Sequence, residues 1–176
     1  KATFTTKGYT FNFFFFFWTY SLTAYSKEEI FVREFIYDQT PDIVINVLDA
    51  TNLERNLFLT TQLIDMDVRI VAALNMYDEL EKKKLFFDKD ELAKLLGIPF
   101  VPTISSKGIG LENLIEKVID VFEGKDKISR HIHINYGKDL EDAIKIVRLK
   151  IKENQPITDK ISSRFLAIKL LEKDGQ

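Results

Sequence analysis

The chain has no cysteine among its 176 residues, which excludes disulfides, zinc–thiolate centres and cysteine nucleophiles. No apolar run reaches the roughly 20 residues that a membrane-crossing helix needs. The most apolar stretch, FNFFFFFWTYSL at positions 11–22, falls short of that. Neither sign of charge prevails: 25 Lys+Arg stand against 27 Asp+Glu, a formal net charge of -2. That balance leaves no basic footprint for nucleic acid or an anionic membrane. The two histidines, His131 and His133, lie in one HIH segment and make a poor metal site by themselves. One further absence bears on chemistry. The phosphate-cradling pattern G-x-x-x-x-G-K-[ST] occurs nowhere, and the only Gly-Lys pairs, Gly124-Lys125 and Gly137-Lys138, are each followed by Asp.

What is present suits a globular protein, with 45% hydrophobic and 30% charged residues. The chain opens on Lys1 and reads as a fragment of something longer. TFTTKGYTFNF predicts a β-hairpin turning at Lys7-Gly8. SKEE (26–29) is a capping box that predicts a helix running to Thr40-Pro41. DIVINVLDA (42–50) and RIVAALN (69–75) are continuous apolar runs of strand length, buried on both faces as in a parallel sheet. TNLE (51–54) is a second capping box, opening a helix between them. FDKDELAKLLG (87–97) predicts a short helix closed by Gly97, IPFVPTI (98–104) a third strand, and LENLIEKVIDVFEG (111–124) a helix ended by Gly124.

Strands and helices thus alternate through residue 124, an α/β pattern with a mostly parallel sheet. Residues 125–137 read as a linker. DLEDAIKIVRLKI (139–151) and TDKISSRFLAIKLLEK (158–173) then predict two helices without a sheet, a C-terminal helical appendage. The triple Lys82-Lys83-Lys84 reads as a solvated helix end. The Phe13–Trp18 run reads as core strand or as an aggregation-prone segment.

Two loops carry the chemistry. Asn75-Met76-Tyr77-Asp78 ends one apolar strand, at the sheet edge where open α/β folds bind ligands. Guanine offers two adjacent donors, N1–H and N2–H2, and the two carboxylate oxygens of Asp78 match that fork. Adenine lacks the pair. Asn75 would tie the loop to its neighbours. Ser105-Ser106-Lys107 ends the next strand, where backbone amides can face the guanine O6 and Lys107 can lie along the base plane. Read without a ligand, Asp78 is a helix N-cap and the serine loop a cap for the following helix.

The two loops together match the guanine-specificity motifs of Ras-like GTPases. KGYTFN, TYSLTAYSKEEIFVREFI, PDIVINVLDATNLERNLFLTTQLIDMDVRIVAALNMYDE and LLGIPFVPTISSKGIGLENL resemble the cytosolic G domain of the ferrous iron transport protein B family. RHIHINYGKDLE and SSRFLAIKLLEKD resemble the start of its helical domain.

The resemblance implies a Ras-like P-loop GTPase three-layer fold, with a G domain at 1–124 and a linker plus truncated helical domain at 125–176. It implies binding of GTP or GDP with Mg2+, slow hydrolysis, and regulation of Fe2+ uptake through a membrane pore domain. It also places the chain at the cytoplasmic face of the membrane and admits a homo-oligomer. Asn75, Met76, Asp78, Ser105, Ser106 and Lys107 are its expected nucleotide-binding residues.

Two family features are missing. Aligning on Thr19-Tyr20-Ser21-Leu22 puts Phe15 where the family has the Asp of D-x-x-G and Trp18 where it has the Gly. The P-loop is expected upstream of Lys1, together with a strand in the middle of the sheet. The strands at 42–49 and 69–75 should then lack neighbours. The rival reading is a nucleotide-independent regulatory domain that keeps the G fold.

Overall fold

In a computed structural model, residues 1–16, 27–153 and 162–172 are described. Strands β1 (Ala2–Thr6) and β2 (Tyr9–Phe13) form the expected antiparallel hairpin. Its turn places Lys7 and Gly8 at positive φ. Phe4, Phe11 and Phe13 stack along one face, with centroids 5.0 to 5.8 Å apart. Helix α1 (Lys27–Gln39) stops before Pro41, as the sequence predicts. The SKEE cap rests on Ser26, and the proposed D-x-x-G position at Trp18 also lies outside the described residues.

Strands β3 (Val44–Asp49), β4 (Ile70–Asn75) and β5 (Phe100–Pro102) form a parallel sheet in the order β3-β4-β5. Helices α2 (Leu53–Asp65), α3 (Tyr77–Lys82), α4 (Lys89–Leu96) and α5 (Leu111–Phe122) connect or follow them. Period two decides the layers. On β4, Ala72 and Leu74 join a core with Val32 and Ile36 of α1, Leu63 and Ile64 of α2, and Ala93 of α4. Val71 and Ala73 face the opposite way, onto Leu114, Val118 and Val121 of α5. Helices therefore cover both faces of the sheet, giving the three-layer α/β fold.

The hairpin does not join that sheet. It packs on α5 instead. Phe11 reaches the second core cluster, Tyr9 bonds Glu123 at 2.5 Å, and Lys7 pairs with Glu116. Among the described residues no strand pairs with the outer edge of β3, and Val47 on that strand is 58% exposed. β2 does not pair with β4, a direct pairing that would have contradicted placement in a Ras-like fold. One expectation is corrected: strand 69–75 lacks no neighbour, because β4 bonds β3 on one side and β5 on the other.

A second correction concerns TNLE. Asp49 Oδ1 accepts from both the amide and the hydroxyl of Thr51, each at 2.8 Å. The Thr51 hydroxyl is thereby drawn back onto the preceding strand, and a short 3₁₀ turn forms at Ala50–Asn52. Helix α2 starts after Asn52 with no side-chain cap, so the capping box does not form. Asp88 does cap α4, accepting from Glu91 N at 2.8 Å, and Gly97 ends that helix in the left-handed region.

Residues 125–137 have no regular structure, as a linker would, yet they are strapped to the core. Ile128, Ile132 and Ile134 pack against the first cluster, and Arg130 N donates to Gly97 O. A Cβ on Gly97 would lie 2.8 Å from the Arg130 carbonyl oxygen, so the close passage of the strap needs glycine there. Helices α6 (Lys138–Lys152) and α7 (Ser163–Leu171) follow and pack on each other. Phe165 of α7 enters the core beside Tyr37 of α1. Among the described residues, no helix is long and apolar enough to cross a membrane.

Candidate functional site

The two chemistry-bearing loops meet at the carboxyl ends of β4 and β5. β4 is buried over Ile70–Leu74 and ends at Asn75. Met76 then takes the left-handed conformation at φ 58°, which turns the chain sharply into α3. That turn, and not Asp78, starts the helix, so the N-cap reading of Asp78 fails and its carboxylate lies in the first helical turn. Tyr77 N donates to Thr103 O at 3.3 Å, fastening the start of α3 to the end of β5.

Asn75 ties the loops together. Its Oδ1 accepts from the amide of Ser105 at 3.0 Å and from the Ser105 hydroxyl at 2.8 Å. The serine loop forms a 3₁₀ turn at Ser105–Lys107, closed by the pairing of Ile104 with Ile109. Behind it, Gly110 sits at φ +82°, and a Cβ there would come within 2.3 Å of the Pro102 carbonyl oxygen. Only glycine lets the loop turn back so close to β5.

The Lys107 ammonium donates to Asp78 Oδ2 at 3.0 Å. Lys82, one helical turn on from Asp78, stands 3.8 Å from the same oxygen. The hydrogen bond from Lys107 holds the Asp78 carboxyl below the usual range; partial burial opposes this, and the two lysine charges add to the lowering. Asp78 is therefore ionised at neutral pH, as a double acceptor must be. The sequence reading missed Lys82, Thr103 and Gly110. The i,i+4 spacing of Asp78 and Lys82 was the one signal available for the first.

The structure thus gathers Asn75, Met76, Asp78, Ser105 and Lys107 at one sheet edge, with Ser106 on the same turn. The two polar loops follow adjacent strands of a parallel sheet, the position at which open α/β sheets bind ligands.

Comparison with known proteins settles the family. The model of the family described as ferrous iron transport protein B matches residues 1–118, and that of the FeoB cytosolic helical domain matches residues 136–176. The chain belongs to the ferrous iron transport protein B family. It is 46% identical over 159 residues to the Fe(2+) transport protein A/Fe(2+) transporter FeoB fusion protein of Porphyromonas gingivalis, covering 90% of this chain and 19% of that protein. It is 33% identical to the Fe(2+) transporter FeoB of Staphylococcus aureus, covering 90% of this chain and 23% of the relative. The chain therefore spans about a fifth of the length of these relatives.

Among solved structures, the cytosolic domain of the T. maritima FeoB iron transporter in a GDP form is similar at TM-score 0.90 and 34% identity. That match covers 99% of this chain and 67% of the other. The FeoB G-domain from Methanococcus jannaschii is similar at TM-score 0.67 and 38% identity, covering 69% and 78%.

A Mg2+ site finds no support in the side chains present. Among the described residues no three His, Asp or Glu side chains converge as metal ligands. Phe15, which alignment on Thr19-Tyr20-Ser21-Leu22 would set at the family's D-x-x-G aspartate position, has no atom that accepts from a hydrated cation. His131 is engaged elsewhere, its Nδ1 lying 2.8 Å from Asp67 Oδ1.

Proposed function

We propose that this chain is the guanine-nucleotide-reading part of a ferrous iron transporter, positioned at the cytoplasmic face of the membrane and acting on a pore domain elsewhere in the protein. The observation that carries this is the convergence of Asn75, Ser105, Asp78 and Lys107 across adjacent strand ends. Relatives crystallised in GDP and GMPPNP forms support the same ligand.

In this reading the two Asp78 oxygens accept from guanine N1–H and N2–H2. Asn75 acts through Ser105, holding the second loop in register with the first. The amides of Ser105, Lys107 and Gly108 are engaged within the protein, with Asn75, Ile104 and Ser105 respectively. The O6 role accordingly falls to the amide of Ser106. Met76 contributes its backbone turn, which aims the first turn of α3 at the base. We place the boundary of the base-reading domain at Gly124, with the strap and helices beyond it as the part that senses and relays its state. No hydrolytic step is assigned to residues of this chain: the phosphate-cradling pattern is not in the sequence, and no Mg2+ ligand set is found among the described residues.

The test is titration of the full-length transporter with fluorescently labelled GDP and ADP, in the parent and in Asp78→Asn. That substitution sets a donor against one member of a donor pair. Guanine preference in the parent, and its loss by roughly tenfold or more in the variant, is the expected result. Equal affinity for the two nucleotides in the parent rejects the guanine-reading role, and absence of binding to either leaves the nucleotide-independent regulatory domain, to which Phe15 points.

A further inference from the structure

We propose that Lys107 is an intramolecular competitor for the base-reading carboxylate, so that its ammonium has to swing off Asp78 before a guanine can dock. The proposal rests on the nucleotide-reading function above and adds a gate to it.

The geometry favours competition over simple support. Asp78 Oδ2 already accepts from Lys107 at 3.0 Å and has Lys82 at 3.8 Å. A guanine that uses both carboxylate oxygens must take that same oxygen; each oxygen has two lone pairs, so the gate requires that Lys107 occupies the one facing the base rather than the free one. The carboxylate is the less mobile partner: its side chain is 19% exposed and sits on a helix turn, against 57% for Lys107. The lysine is the more mobile one, with a four-carbon stem and a strongly hydrated head.

The loop need not move when the side chain does. Ser105 is held by Asn75 through two hydrogen bonds, Ile104 pairs with Ile109, and Gly110 is wedged on Pro102. Opening is therefore a rotamer change of one exposed lysine on a fixed backbone. The closed form also gives a partly buried carboxylate its shortest lysine contact, the other being Lys82 at 3.8 Å.

Selectivity follows from the chemistry of displacement. A ligand with two adjacent donors replaces what the ammonium gave Asp78. Adenine presents an acceptor at N1 and gains nothing by displacing the lysine. The gate thus taxes guanine binding by the fraction of time it is open, chiefly in the association rate, while leaving adenine binding untouched.

Lys107→Met in the full-length transporter removes the charge and keeps the stem. Stopped-flow association of labelled GDP and of labelled ADP is measured in the parent, Lys107→Met and Lys107→Arg. Loss of a positive charge slows both nucleotides through weaker steering of their phosphates, so the GDP change divided by the ADP change isolates the gate. That ratio should rise roughly two- to fivefold at low salt for Lys107→Met, the size of a partly exposed ion pair. It should fall towards one in high salt, where the pair in the parent is itself screened. Lys107→Arg keeps the charge and should stay near the parent. A ratio at or below one for Lys107→Met at low salt, with melting temperature unchanged, overturns the gate and makes Lys107 a supporting contact. A parent that fails to distinguish GDP from ADP is a separate outcome: it removes the base-reading function first, and the gate with it.

Discussion

The Nε of Arg164 on α7 faces Oδ1 of Asp65 on α2 at 3.6 Å, with both side chains almost wholly buried, at 5% and 3% exposure. The guanidinium is held in that position from the other side. Its Nη1 and Nη2 fork onto Glu141 of α6 at 2.9 and 2.7 Å, and Nη2 also donates to Ile134 O in the strap. Tyr136 donates its hydroxyl to the other Asp65 oxygen at 2.5 Å. One arginine thus ties the far end of α2, a helix that starts beside the carboxyl end of β3, to the strap and to both C-terminal helices.

Removing that arginine leaves Asp65 buried with one neutral partner. Breaking a buried pair from one side is far more damaging than the pair's net worth. Arg164→Met should destabilise the complete cytosolic domain by about 3 kcal/mol in denaturant unfolding. Arg164→Met combined with Asp65→Asn should recover much of the loss, because the stranded charge is gone. A double variant no more stable than the single one would show that the packing of the arginine stem, and not charge, is what matters.

The same network gives stability a pH dependence of known sign. The Arg164 fork draws the Glu141 carboxyl down from its ordinary 4.5 to about 2. A depressed carboxyl contributes stability that is complete above the unfolded value and is lost as pH falls through the folded one. Between pH 4.5 and 2, therefore, stability should fall with acidification, and Glu141→Gln should flatten that slope. Asp65 runs the other way. Burial raises its carboxyl, against the hydrogen bond from Tyr136 and the charge of Arg164, so its contribution weakens as pH climbs above its ordinary 3.8. Unfolding free energies measured from pH 2 to 7 separate the two. Identical slopes below pH 4.5 in the parent and Glu141→Gln would contradict the assignment.

How much of this the sequence could show depends on range along the chain. The apolar runs at 42–50, 69–75 and 98–104 are local signals, and each contains a strand of the sheet, although the strands begin up to two residues inside the runs. The loops at 75–78 and 105–107, proposed to read the base, each occupy a few consecutive residues at a strand end, so their juxtaposition was legible from strand order. The Arg164 network was not, since it joins positions 65, 134, 136, 141 and 164, and no periodicity links them. TNLE failed for a local reason that its four letters omit: Asp49, two residues before Thr51, captures the hydroxyl. The contact of Lys107 with Asp78 was not legible either, since 29 positions separate the two residues.

Salt bridges between hairpin and α5 should matter little by comparison. Lys7 pairs with Glu116 and lies 3.9 Å from Glu112, and both glutamates are exposed. Such pairs contribute roughly 0–1 kcal/mol and weaken with salt. Lys7→Ala should shift stability by less than about 1 kcal/mol, whereas Phe11→Ala, which withdraws an aromatic ring from the cluster on α5, should cost about 2 kcal/mol or more. Equal effects from the two substitutions would mean that charge, not the apolar contact, fastens the hairpin.

Gly110 and Gly108 allow strain and collision to be told apart in the same loop. Both adopt positive φ, +82° and +69°, so alanine at either carries a left-handed penalty of roughly 1 kcal/mol. Around Gly108 nothing lies within 4 Å of an added Cβ, so Gly108→Ala should show that penalty alone. At Gly110 the Cβ would meet the Pro102 carbonyl oxygen at 2.3 Å and Thr103 Cα at 3.2 Å, both backbone atoms that cannot rotate away. The end of β5 has to shift, and with it the bonds from Thr103 N to Leu74 O and from Tyr77 N to Thr103 O that hold the two site loops in register. Gly110→Ala should therefore lose stability beyond the Gly108 variant and also weaken GDP binding severalfold, while Gly108→Ala leaves the register intact. Calorimetry and labelled-GDP titration on the pair check this, and matched losses in the two variants would show that the contact with Pro102 does not set the loop.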